Sequence, residues 1–545
     1  MKKICFLLVL LFTLNGFSQE KWFRGNIYSN AQYYLDDAET GDFNATNRFR
    51  SNNYVTFTGG IKNFTAGFQL EGYAPLPLLN FSNSFDNEIG MATYFINYKT
   101  EKLDVQLGHF YEQFGNGLIL RFWEDKELGL NNALRGGKFT FSPSNSFNIT
   151  GLYGKQKVGF DVSKGEVLGV NSEFNLSEAF KFSDTNLSLG FSFVSRNQAI
   201  INSSNEFKNS TNAFSGRLNY SKNRFYSNIE VVSKAKDALV EFQAVNTEKL
   251  NSGNALLLNT GYSKKGFGID VTLRRLENMS FYSDREVQAN IYNEQILNYL
   301  PSLNKQQDYS LANIYVYQTQ SNLGFIPFGK AGEIGGQVAL FYTIKKESFF
   351  GGKNGAKLAV NYSNWNGLKA DYNLSERTYN SEFFQFGNKY FSEFNLELRK
   401  KWSKQWSSIF SFTDLFYSKK YIEETSGEVN ATIFVGDATY KISRKKSIRF
   451  EAQHLWTNND KKDWMAATAE FNFSSKFSVF ASDMYNYGND LKKIHYYNFG
   501  GSFTSGTTRI AFNYGRQRGG LLCVGGVCRI VPESTGIGMT LNMSF

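Results

Sequence analysis

Residues able to do chemistry are few and widely spaced. The 545 residues include three histidines and three cysteines. His109 follows Leu103, Val105 and Leu107. His454 follows Ile448, Phe450 and Ala452. His495 precedes Tyr497, Phe499 and Phe503. On that alternation all three belong to an apolar face, close to the rim of whatever the strands build. A lipase or acyltransferase would need a Ser or Asp within hydrogen-bond reach of one of them. No Gly-x-Ser-x-Gly, His-Glu-x-x-His or phosphate-loop pattern accompanies them, so no enzyme is expected. No catalytic residue, metal site or cofactor is assigned.

The cysteines point to a bond rather than a reaction. Lys2 and Lys3, the apolar run from Ile4 to Leu14, and Gly16 and Ser18 have the form of an export signal over residues 1–19. Its removal takes Cys5 and two lysines, lowering the formal charge of +10. Cys523 and Cys528 remain. In Gly519–Ile530 a two-residue turn at Gly525-Gly526 pairs Val524 with Val527 and Cys523 with Cys528. As a non-hydrogen-bonded pair the cysteine Cα atoms would lie about 4.5 Å apart, which a disulfide tolerates. A metal held by Cys-x4-Cys is the rival reading, but no nearby His completes it.

The elements that position these residues are strands. Phe, Tyr and Trp make up 17% of the chain, with 48 Gly and 6 Pro, which suits strands and tight turns rather than helices or disorder. The one long apolar run is N-terminal, so a helical membrane protein is excluded. Period two dominates from residue 23 onward. Ile537, Met539, Leu541, Met543 and Phe545 share one face, and Gly538, Thr540, Asn542 and Ser544 the other. A soluble sandwich and an outer-membrane barrel give the same alternation. Three features favour the barrel: the apolar-phase aromatic Phe545 closing the last strand, strands about ten residues long, and short turns alternating with long polar stretches.

Short turns fall near residues 62, 100, 144, 181, 222, 265, 350, 403, 445, 475 and 506. They imply an all-β fold, a large single-chain antiparallel transmembrane β-barrel of about 24 strands, within a range of roughly 20 to 26. Residues 20–545 form the barrel, with both termini periplasmic and outer-membrane lipid as its surroundings. No plug domain precedes the first strand, so energy-coupled transport is not expected. A barrel this wide needs its outer loops folded inward.

The inward phase carries Glu71, Asp104, Glu173, Arg217, Glu230, Asp270 and Arg274 in the first half of the chain. Glu393, Glu397, Arg399, Arg449, Glu451, Glu470 and Arg509 follow in the second. Their signs are mixed, whereas selectivity normally needs a ring of one sign. A hydrogen-bonded interior without a specific substrate is therefore the simpler reading. Basic residues are scattered among turns and loops, so nucleic-acid binding is rejected.

The main loop spans 278–330. Ser283 and Glu286 form a capping box, Val287, Ile291, Ile296 and Leu300 a stripe, and Pro301 a stop, which together predict a helix. It could plug the pore, form a lid, or stay solvated, and Leu311–Gln318 could add a strand. A second loop runs from Tyr111 to Arg135. There Gly115 and Gly117 allow tight bends, and Arg121, Glu124, Asp125, Lys126 and Glu127 could form an ion-pair knot.

The runs at 110–136, 300–317, 332–344, 351–363 and 515–536, the last with Arg516, Arg518 and Arg529 around the cysteine hairpin, resemble a family of Bacteroidota outer-membrane barrels catalogued only as a domain of unknown function. The resemblance spans the mature chain. It implies a large outer-membrane barrel and no established activity. The expectation is a channel or transporter for a polar solute, gated by inward loops. The alternative is a non-conducting barrel scaffolding a surface or secretion assembly through a surface or periplasmic protein partner.

Overall fold

The structure is a computed structural model of the chain. It describes residues 21–43, 47–79, 81, 85, 88–201, 203–241, 244–286, 295–524 and 527–545, with backbone alone for 522–524 and 527–528. The expected leader over residues 1–19 lies outside the described residues.

Twenty-four strands form one sheet. Each is antiparallel to its neighbours, and the ring closes where the first strand, Lys21–Leu35, pairs with both Phe49–Ile61 and the last strand, Ser534–Ser544. In the closing register Ile27 stands opposite Met543 and Tyr33 opposite Ile537. Phe545 extends the seam, exchanging backbone bonds of 2.8 and 2.9 Å with Gly25. Closure satisfies every strand edge, which a sheet crossing hydrocarbon requires.

All eleven connections at one end fall where the alternation placed them. Several turn on left-handed residues, Lys62 at φ 52° and Gly506 at φ 59° among them. One contains a short helix, Leu176–Phe180. Both strand termini lie at this turn end. No helix among the described residues is long and apolar enough to cross a membrane.

Sidedness decides between sandwich and membrane barrel. Phe191, Phe214, Val231, Phe450 and Phe512 face outward, each more than half exposed. Their strand neighbours Ser192, Ser215, Glu230 and Glu451 face inward and are buried. A soluble protein does not leave an apolar surface of this extent in water, whereas lipid covers it without cost.

The core lies inside the ring, between loops and wall. Phe114, Leu118, Ile119, Leu120 and Phe122 from loop 111–133, with Met279, Phe281 and Leu297 from loop 278–331, pack on Leu152, Val167, Val194, Val232 and Leu276 of the wall. Across the lumen, Leu311, Tyr315 and Tyr317 pack on Trp365, Phe391, Leu415, Val429, Leu455 and Trp464. A Cβ at Gly165 would collide with the Ser283 carbonyl, so this wall glycine admits the loop backbone.

The helix expected over 283–300 is not there in the described residues. Its flanks run back antiparallel: Ser283 N donates to Gln295 O and Leu297 N to Phe281 O, both at 2.8 Å. The stripe residues Val287 and Ile291 lie outside the described residues. The Ser283 hydroxyl donates to Gln156 Oε1 at 2.6 Å on the wall instead of capping a helix. Burial of Phe281 and Leu297 against the barrel overrides the local capping signal. Leu311–Gln318 adds no strand; it opens as a 3-10 turn, Leu311–Asn313.

Candidate functional site

The lumen is the site, and two straps define it. The longer, residues 278–331, leaves the strand Phe267–Glu277 and returns to Gly332–Ile344 after crossing to the far wall. Arg274 and Glu333 face each other on these adjacent strands at 2.7 Å, almost completely buried. Their remaining capacity holds the strap. Arg274 donates to Pro301 O at 2.7 Å and Thr319 Oγ1 at 3.0 Å. Tyr317 Oη and Gln320 N donate to Glu333 Oε2 at 2.5 and 2.7 Å. Trp365 Nε1 donates to Leu303 O at 2.9 Å. On the far wall Gln453 Oε1 accepts from Leu311 N at 3.0 Å.

The shorter strap, 111–133, is tied to the wall by carboxylates. Glu230 accepts from Asn116 N at 2.9 Å and Nδ2 at 2.7 Å, and from Ser215 Oγ at 2.6 Å. Gln69 Nε2 bridges Glu71 at 2.8 Å and Glu124 at 2.6 Å. Burial pushes the Glu124 carboxyl up, and Glu71 adds to the rise against Lys126. The segment is not held by an ion-pair knot. The Arg121 guanidinium lies over the Tyr299 ring at 3.8 Å and the Trp123 ring at 4.9 Å, joining the two straps. Asp125 Oδ1 accepts from the backbone of Glu127 and Leu128. Lys126 sits 5.1 Å from the Tyr54 ring.

The other inward charges pair along the wall. Arg217 meets Glu173 at 2.6 Å. Arg449 meets Asp437 at 2.8 Å, Glu470 at 2.9 Å and Glu451. Glu397 binds Arg399, Asp104 accepts from Asn97 at 2.5 Å, and Asp270 accepts from Tyr226. Glu393 is buried below the long strap. No ring of one sign forms among them.

Parts of the inner wall stay open: Arg399 is exposed beside a cavity of about 540 Å³ that Lys305 and Lys357 also line, and a second open sector lies at the seam. Arg509, Asn513 and Asn542 point inward yet are exposed. Beside them a cavity of about 480 Å³ is lined by Tyr28, Asn30, Gln32, Arg509, Thr540 and Asn542 of the wall and by Glu127 and Val531 of the loops. The apolar cores of the straps press on other parts of the ring and leave this polar sector uncovered.

The cysteine hairpin borders that sector, its Val531 lining the cavity. Its backbone register sets Cys523 opposite Cys528; their side chains lie outside the described residues. Arg529 stacks over Phe81 at 5.2 Å, and Arg518 donates to Asn313 O of the long strap at 2.9 Å. Arg516 grips both oxygens of Asp37, at 2.6 and 2.9 Å, a bidentate bond across the barrel seam. At the loop end, against the effect of its burial, Lys419 at 2.6 Å holds the Asp460 carboxyl below the usual range.

The histidines pack against aromatic rings: His109 on Tyr94 at 4.9 Å, His454 on Trp456 at 4.0 Å and His495 on Tyr485 at 3.8 Å. His495 Nδ1 meets Asp483 at 2.7 Å. Among the described residues no Ser, Thr or Cys bonds its other nitrogen. Glu333, Gln453 and Asp37 anchor the loops without standing out in the sequence. The signal for Glu333 was its inward phase, shared with Gly335 and Gln337.

No curated protein matches the chain. It is similar to three solved structures among others. These are the P pilus usher (PapC) translocation pore, at 8% identity over 96% of this chain and 99% of that one, TM-score 0.40; the siderophore receptor PirA from Pseudomonas aeruginosa, at 8% over 96% and 80%, TM-score 0.41; and a BenF-like porin from Pseudomonas fluorescens Pf-5, at 9% over 97% and 98%, TM-score 0.37. A family model described as Family of unknown function (DUF6029) matches residues 1–545.

Proposed function

The chain belongs to the DUF6029 family of unknown function, and from its lumen we propose that it is an outer-membrane channel or transporter for a polar solute, with the inward straps as its gate. The turn end and both termini lie on the periplasmic side, and the cysteine hairpin is cross-linked at the outer mouth. The observation that carries this reading is the uncovered sector: Arg509, Asn513 and Asn542 face inward yet remain wet, beside a polar cavity of about 480 Å³. A structural interior would be closed over by side chains; water along a polar wall suits passage of a hydrated solute. The straps are held by buried apolar side chains and by local anchors such as Arg274 and Glu333, not by the strand pairing of the ring, so they can loosen while the barrel stays intact.

A second reading, a non-conducting scaffold, rests on Phe349 and Phe350. They stand 95% and 74% exposed on a turn-end connection and offer a partner an apolar contact. Planar-bilayer recording separates the two. Steady current is expected from the native protein. In Glu333→Gln the expected result is larger, noisier current, because the buried Arg274 loses its counter-charge and one bound partner costs about 3–5 kcal/mol when removed. Silence from both, with a stable co-purifying protein, favours the scaffold.

A further inference from the structure

A second cluster of buried charge lies at the loop end, where the long strap leaves the wall, apart from the Arg274–Glu333 pair and the open sector. Arg196, Lys234 and Arg285 line a cavity of about 80 Å³ and are 1%, 2% and 3% exposed. Among the described residues Asp237 is the one carboxylate bound to two of them, meeting Arg285 Nε at 2.7 Å and Arg196. The next carboxylate, Asp284, accepts from Gln198 at 2.6 Å and faces Lys164 at 4.0 Å. Among the described residues three cations, Arg196, Lys234 and Arg285, therefore stand against two carboxylates, Asp237 and Asp284.

Hydrogen-bond donors are in excess as well. Arg285 is engaged at all three nitrogens, with Asp237, Gln198, Lys208, Asn209 and Thr211. Lys234 Nζ has three donors and spends one, on Ser280 O at 2.9 Å. Arg196 Nη1 and Nη2 reach Tyr282 O and Thr211, but its buried Nε has no acceptor. Buried donors without acceptors are costly. Asn251, Asn278, Ser280 and Asn322 add polar groups to the lining, and Ala238, Leu239, Val240 and Leu323 close its apolar side. The space exceeds that of a single water, which needs roughly 10–15 Å³ by this measure. Gly253 makes the site possible, since a Cβ there would strike the Asn278 carbonyl and crowd Lys234.

We propose that this cavity is a binding site for a small oxyanion, a phosphate or carboxylate, held by Lys234 and the Arg196 guanidinium with the neighbouring amides. An oxyanion supplies the missing acceptors and the missing negative charge together, which water does not. The site does not depend on whether the barrel conducts.

Calorimetric titration of the full barrel in detergent, at fixed ionic strength, tests it. Inorganic phosphate is titrated in one arm, acetate in a second and chloride in a third. Saturable heat with phosphate or acetate, absent with chloride, is expected; the tighter of the two arms identifies the anion. In Lys234→Met the dissociation constant rises at least tenfold, while Lys369→Met, an exposed lysine elsewhere, leaves it unchanged. No saturable heat from the native protein overturns the proposal whether or not the variants fold. So does binding that survives Lys234→Met undiminished, or chloride binding as tightly as the oxyanions.

Discussion

Cys523 and Cys528 stand opposite each other in a two-stranded hairpin whose next pair toward the turn is Val524 with Val527. Directly opposed cysteines in an antiparallel hairpin suit a disulfide. Neither thiol should alkylate in protein purified without reductant, and both should alkylate after reduction; ready alkylation of native protein would show the bond is not made. Other residues act through geometry rather than reactivity. Arg274 and Glu333 are informative because both are nearly inaccessible. A buried pair is worth little over apolar packing, yet losing one partner is expensive. The same logic makes the sign of each substitution legible: Glu333→Gln loosens the strap because the cation left behind cannot be satisfied.

At the scale of elements, apolar burial outweighs ionic anchoring. Each fully buried large apolar side chain contributes about 1.5–3 kcal/mol. Met279, Phe281, Leu297, Leu311 and Tyr317 all come from the long strap. Their sum exceeds what the single Arg274–Glu333 clamp can release, so Glu333→Gln should make the strap flicker rather than swing out. Replacing residues 303–318 with a short Gly-Ser linker removes the crossing itself. Single-channel conductance should then rise several-fold, while the heat-modifiable gel mobility of an intact barrel persists. Unchanged conductance in a folded barrel would mean that this strap is not the gate. The capping box at the start of the same loop is not formed, for a reason at this scale. Ser283 and Glu286 fit a helix start locally, but Phe281 and Leu297 gain more by packing on the wall in an antiparallel return.

At the scale of the whole molecule, the ring separates two solvents. Lipid meets the outward aromatics, and polar groups, loops and water fill the inside. Phe412 lies midway along its strand, Trp406–Ser418, on the outward face. Phe412→Lys should cost about 2–4 kcal/mol in barrel stability, measured by urea unfolding in lipid vesicles. Asn542→Lys, on the wet inner sector, should cost little. Equal losses at both positions would contradict the sidedness on which location and passage both rest.

How much was legible beforehand follows from which forces are local. Strand alternation and turn residues are set by neighbours in the chain. The sequence alone therefore determined the strands, the eleven turn-end connections, the closed antiparallel ring and the register that faces Cys523 with Cys528. It also placed Glu71, Arg217, Arg274 and Glu451 on the inner phase, because a pleat has a period of two. Which inward charges would pair, that Arg121 would stack on Tyr299 rather than join a carboxylate, that Glu333 would clamp a strap, and that the seam sector would stay wet were decided only by the tertiary structure. Those outcomes depend on loops of up to about fifty residues meeting walls far away in sequence, and the competition between burial and local capping is settled where such distant surfaces touch.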